Sequence, residues 1–97
     1  MASSKEYLDF VLDCLREVEG ISVKKMMGEF LLYKDGVLFG GVYDNRFLLK
    51  KTKSLESFCL QDALPYEGAK PMLLVESDDA DEIKDMVLCV ANDLQNK

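Results

Sequence analysis

Histidine is absent from this 97-residue chain, which removes the commonest general base and the commonest metal ligand. Cysteine is sparse. Cys14, Cys59 and Cys89 are odd in number, far apart and without a C-x-x-C pair, so neither a disulfide framework nor a zinc site is expected. Each is read as a small hydrophobe in a reducing compartment. No cysteine has a histidine to activate it, no serine sits in a G-x-S-x-G setting, and the glycines match neither G-x-G-x-x-G nor a phosphate-binding P-loop. No apolar run approaches the roughly 18 residues of a membrane span. The start, Met1-Ala2-Ser3-Ser4-Lys5-Glu6, shows no apolar segment after a basic one, so no signal peptide is read there. The expectation is a cytoplasmic, non-enzymatic protein with no cofactor and no bound metal.

Positive charge is also short. Lys and Arg number 12 against 18 Asp and Glu, a net charge of −6, so approach to phosphates is repulsive and direct DNA binding is not expected unless the cations cluster. An acidic balance otherwise serves solubility. What the chain does have is apolar content, 48% of residues against 31% charged, which suits a globular fold and one domain over residues 1–97 with a real core.

The centre of the chain is Lys24–Lys51, KKMMGEFLLYKDGVLFGGVYDNRFLLKK. Three apolar runs, Glu29–Lys34, Val37–Tyr43 and Arg46–Lys50, are divided by Asp35-Gly36 and Asp44-Asn45. Both dipeptides suit a type I′ turn, which needs φ > 0 at two consecutive residues, so an antiparallel meander is expected. Two-residue loops set Lys34 opposite Val37, Leu32 opposite Phe39, Phe30 opposite Gly41, Val42 opposite Phe47 and Gly40 opposite Leu49. One face then carries Leu31, Tyr33, Leu38, Gly40, Val42, Phe47 and Leu49. It is expected to pack on helices because it holds no cation. The other carries Phe30, Leu32, Phe39, Tyr43 and Leu48 with Lys34, Arg46 and Lys50. That face is too apolar to be fully wet, and a partner protein or a second copy, giving a homodimer, is expected there. Gly40-Gly41 in mid-strand marks a bulge, a close approach of another chain, or room for bulky neighbours.

Around the meander, Ser3 and Glu6 have capping-box spacing for a first helix, with Leu8, Val11, Leu12, Leu15 and Val18 as its apolar stripe and Gly20 as its end. Ile21, Val23 and Met26-Met27 suggest a strand that bends at Gly28. Thr52 or Ser54 caps a short helix with Leu55, Phe58, Cys59 and Ala63 on its apolar side, ended by Pro65. The stretch from Pro65 to Pro71 reads as a structured loop, and Met72–Glu76 as a buried strand. Asp78 or Asp79 caps a last helix striped with Ile83, Met86, Val87, Val90 and Leu94. The order α-β-β-β-β-α-β-α implies an α+β fold of two layers, an antiparallel sheet with its helices mainly on one face.

Candidate functional residues are few. The acidic run Asp78-Asp79-x-Asp81-Glu82 can hold a hard cation in principle, but its place at a helix start favours capping. Glu29 is the one carboxylate among apolar neighbours, either a polar group with a role or a residue at a bend. Lys24, Lys25, Lys50, Lys51 and Lys53 form a basic patch for an acidic partner or a phosphate backbone if the ends of the meander meet; the other reading is protection of strand edges. A small-molecule pocket between sheet and helices, involving Tyr33, Tyr66 and Lys70, is the alternative to a protein-binding surface.

Lys25-Met26-Met27-Gly28-Glu29-Phe30, followed by Leu32-Tyr33, Asp35-Gly36, Phe39, Asp44, Arg46 and Leu49-Lys50, resembles the N-terminal domain of the TfoX/Sxy family, with its K-M-F-G-E-[YF]-x-L-Y run, D-G turn and D-x-R-L-Y-L-K strand. Pro65-Tyr66 and Gly68-Ala69-Lys70-Pro71 are similar to that family's second block. Met27 replaces the usual Phe, Leu31 a common small residue and Leu48 a common Tyr. The resemblance spans nearly the whole chain and implies a stand-alone domain lacking the C-terminal domain of the long, competence-regulating members. It implies an α+β fold and a bacterial transcription-regulatory role through protein–protein interaction, the partner being a DNA-bound transcription activator. Lys25, Phe30, Phe39, Arg46, Lys50 and Lys70 are the residues expected to meet that partner.

Overall fold

Two tight turns set the frame of the sheet. Asp35 and Gly36 have φ of 51° and 83°, and Asp44 and Asn45 have φ of 53° and 57°, the paired left-handed conformations that a type I′ hairpin requires. A computed structural model describes residues 5–26, 29–65, 67–76 and 79–95. In chain order these form α1 (Lys5–Cys14), β1 (Ile21–Met26), β2 (Glu29–Lys34), β3 (Val37–Tyr43), β4 (Arg46–Leu49), a 3-10 helix (Lys53–Phe58), β5 (Gln61–Ala63), β6 (Met72–Val75) and α2 (Ala80–Gln95). The fold is α+β: one antiparallel six-stranded sheet of order β1-β2-β3-β4-β6-β5, with the buried residues of both helices joined in one core. Among the described residues, no helix is long and apolar enough to cross a membrane.

The register follows the turns and then breaks once. Lys34 pairs with Val37 and Tyr33 with Leu38, but Leu32 pairs with Gly40, leaving Phe39 as an extra residue on β3. Beyond this β-bulge Phe30 faces Val42 rather than Gly41. On the other side of β3 the pairing is as expected, Val42 with Phe47 and Gly40 with Leu49. One inserted residue turns β2 over relative to β3 and β4, since strand side chains alternate with a period of 2. Phe30, Leu32 and Phe39 therefore enter the core with Val42, Phe47 and Leu49, while Leu31, Tyr33 and Leu38 stay half-exposed outside it. The expected faces are thus half corrected: right for β4 and the end of β3, inverted for β2.

The glycine pair explains how the strands come this close. A Cβ on Gly40 would run into the Leu48 carbonyl oxygen and stand 3.1 Å from the Leu49 Cα. A Cβ on Gly41 would lie 2.6 Å from the Phe30 carbonyl oxygen and 2.9 Å from the Tyr43 ring. The flanking strands, and a tyrosine ring laid over Gly41, occupy the space that side chains would need.

The helices supply the opposite layer. Leu8, Val11, Cys14, Leu15 and Val18 are buried, as are Ile83, Met86, Val87, Val90 and Ala91; α2 packs on β3 and against α1. Regular helix stops at Cys14, and single turns (Leu15 amide to Val11 carbonyl, Val18 amide to Leu15 carbonyl) carry the chain on to Gly20, whose φ is 80°. The expected helix end at Gly20 is therefore reached through turns. Ser3, Met27, Gly28 and Asp78, also given roles above, lie outside the described residues. Asp79 is the cap of α2, its Oδ1 accepting from the Asp81 amide at 3.0 Å.

The connector after β4 differs most from expectation. It is a 3-10 helix that ends at Cys59, in the left-handed conformation with φ 54°, and residues 61–63 then form an edge strand on β6 rather than more helix. Thr52 holds the cap position without a side-chain cap bond. The cap comes instead from α2: Asp93 accepts from the Ser54 amide at 2.8 Å and from the Ser54 hydroxyl at 2.6 Å. Those bonds, hydroxyl first and amide second, hold the Asp93 carboxyl below its ordinary pKa.

Candidate binding surfaces

The six residues expected at a partner surface are dispersed by this fold. Phe39 has no exposed surface and Phe30 retains 9%. Both belong to the core, so the bulge removes them from any docking face. Arg46 is used structurally, its Nε donating to the Tyr43 carbonyl and its Nη2 to the Leu64 carbonyl at 2.8 Å, which ties Leu64 to the β3–β4 turn. Lys25 is exposed on the edge strand β1. Lys50 and Lys70 do come together, lining one groove.

The expected single basic patch divides into two. β1 and β4 are separated by three strand spacings, about 14 Å at ~4.8 Å each. Lys25 is level with Phe30, Val42 and Phe47, whereas Lys50, Lys51 and Lys53 follow the opposite end of β4. One basic surface is therefore the β1 edge, with exposed Lys24 and Lys25 beside Val23 and Met26, which are 37% and 45% exposed. The other is a groove of about 940 Å³ where the chain leaves β4. Its walls come from β3 (Leu38, Tyr43), the segment after β4 (Lys50, Lys51, Lys53), the residues Pro65, Ala69, Lys70 and Pro71, and α2 (Asp93, Leu94).

The expected sheet–helix pocket has a partial counterpart in this groove, which Asp93 and Leu94 of α2 line together with β3. The interface between layers is filled by the core side chains; Tyr33 lies outside the core and does not line the groove, Lys70 does, and Tyr66 is outside the described residues. Glu29 acts at a bend, its Oε2 accepting from the Asp44 amide at 2.8 Å and so binding the start of β2 to the second hairpin turn. Among the described residues no three His, Cys, Asp or Glu side chains are grouped to hold a metal ion. Cys14, Cys59 and Cys89 are in no disulfide among the described residues. The sequence showed the lysines but not the groove, because Lys70 reaches Lys50 only through the β5–β6 hairpin, and β5 carries no apolar alternation.

What the fold defines is an α+β domain with one helix-covered sheet face, an open edge strand and a basic groove. No protein-family model matches the chain. It is similar to a protein of Spirochaeta aurantia described as an uncharacterized 12.7 kDa protein in the trpE 5′ region, 38% identical over 72 residues, which cover 72% of this chain and 63% of that protein. The chain thus spans less than two thirds of that relative's length.

Proposed function

We propose that the protein is a non-enzymatic regulatory module of the TfoX N-terminal type, acting in the cytoplasm by contact with a protein partner such as a DNA-bound transcription activator. The observation that carries this reading is the edge strand β1. Five of its six residues are exposed, and β2 pairs with only one of its sides, so a row of backbone donors and acceptors is available to an added strand. Lys24 and Lys25 give that edge a positive charge on an acidic protein, which favours an acidic extended segment of the partner. The sequence resemblance to the TfoX/Sxy domain supports the regulatory role, and three cysteines without a disulfide among the described residues suit a reducing compartment.

The test is affinity capture from native lysate with the wild type and a Lys24→Glu/Lys25→Glu variant, after circular dichroism has shown equal folding. A transcription activator or polymerase subunit retained by the wild type and lost by the variant is expected. Equal retention by both, or no regulator retained by either, overturns the reading.

A further inference from the structure

We infer that the groove at the end of β4 is a binding site for a small organic phosphate, its phosphate held by Lys50, Lys53 and Lys70 and its apolar or ring portion laid along Leu38, Tyr43 and Met72. Four of the chain's 12 cationic side chains line this one hollow, on a molecule whose net charge is −6. Gathering like charges costs free energy unless carboxylates or a bound anion offset them. Carboxylates do so only in part. Lys51 pairs with Asp62 at 2.9 Å, and among the described residues Asp93 is the one acidic side chain lining the groove, a single negative charge, bound to Ser54, against the three remaining lysines. Lys50, Lys53 and Lys70 have no ion pair among the described residues, and Lys50 is half-buried. Two other partly buried cations are engaged, Lys34 with Asp35 and the Glu19 carbonyl and Arg46 with two carbonyls, whereas Lys24 and Lys25 are exposed to solvent on β1.

Three point-charge ammoniums around one hollow match a phosphate, whose several oxygens accept from several lysines at once. The size and lining favour a small molecule over a nucleic-acid strand. The volume, about 940 Å³, falls within the range of small-ligand sites, and such sites pair apolar walls with a few placed polar groups. Leu38, Met72 and the two prolines, Pro65 and Pro71, supply those walls. A backbone-tracking groove needs cations in a continuous stripe, whereas Lys24 and Lys25 stand on the far side of the sheet.

The site is distinct from the β1 edge, so its failure and that of the regulatory reading are separable. The experiment is a ¹⁵N NMR titration of the whole chain with AMP, flavin mononucleotide and glucose 6-phosphate, with adenosine and a single-stranded oligothymidylate alongside. At least one of the three phosphates is expected to give saturable shifts at Leu38, Tyr43, Lys50 and Met72, with adenosine weaker than AMP. Lys50→Gln/Lys70→Gln should weaken that binding about tenfold, as loss of two charge-assisted contacts predicts, while Lys24→Glu/Lys25→Glu leaves it unchanged. No saturable shift from any of the three, equal binding by the Lys50/Lys70 variant, or tighter binding of the oligothymidylate with shifts spreading to β1 overturns the inference.

Discussion

Replacing Gly40 by alanine tests the sheet geometry through the sign of a single stability change. Gly40 does not need the left-handed region, unlike Gly20, Gly36 and Gly68. At such a position alanine ordinarily stabilises by about 0.4–1 kcal/mol, because the unfolded chain loses freedom. Here the new methyl would collide with the Leu48 carbonyl oxygen and stand 3.1 Å from the Leu49 Cα. These are backbone atoms of β4, held by the ladder and unable to rotate aside. Overpacking of this kind costs about 1–3 kcal/mol, so a net destabilisation of about 1–2.5 kcal/mol is expected after the entropic gain. For a domain of this length each kcal/mol lowers the melting temperature by about 4–8 °C. Urea denaturation followed by circular dichroism measures it: the midpoint should fall with the slope unchanged. Gly36→Ala is the control, because a Cβ there meets nothing within 4 Å and the substitution reports the cost of positive φ alone. A Gly40→Ala midpoint equal to or above that of the wild type would refute the close approach of β3 and β4.

Two further perturbations probe the core and the tertiary cap. Phe39→Ala, which empties a fully buried site, should destabilise by about 3–5 kcal/mol, whereas Leu31→Ala and Tyr33→Ala on the open face should each cost about 1 kcal/mol or less; a reversed ranking by urea denaturation would restore the unbulged register. Asp93 titrates below the ordinary carboxylate range in the folded state, so its stabilisation is complete above the unfolded value of about 3.9 and disappears as pH falls through the lower folded value. The melting-temperature gap between wild type and Asp93→Asn should therefore be constant near neutrality and close in acid, and a gap that widens on acidification would count against the cap.

Local chemistry was legible and long-range geometry was not. Asp35-Gly36 and Asp44-Asn45 disclosed both turns because the required backbone conformation selects those residue types. The stripes of α1 and α2 followed from a period of 3.6, and the cap of α2 was narrowed to Asp78 or Asp79 by their place before an apolar run. The bulge left no comparable mark. Phe39 is an ordinary strand residue, and only the packing demand of Phe30, Leu32 and Phe39 on the helices shows why the ladder skips it. The adjacent glycines signalled an irregularity without saying which strand it would invert. Likewise, Ser54 and Asp93 are 39 residues apart, so the cap that replaces Thr52 had no local signature. The basic residues were visible individually, but which of them meet depends on β6 lying between β4 and β5.

That placement of β6 has a consequence for the protein as it is synthesised. β2, β3 and β4 are joined by two-residue turns and can zip together as they leave the ribosome, but β4 then presents Phe47-Leu48-Leu49 as an open margin. Its neighbour, residues 72–75, emerges only after the 3-10 helix, β5 and the connecting loop have been made. During that interval the nascent chain carries an unpaired, strongly apolar strand, the kind of edge that recruits other chains. The lysines at 50, 51 and 53 emerge directly behind it, and their charge repels the same segment of a second nascent copy before β6 arrives.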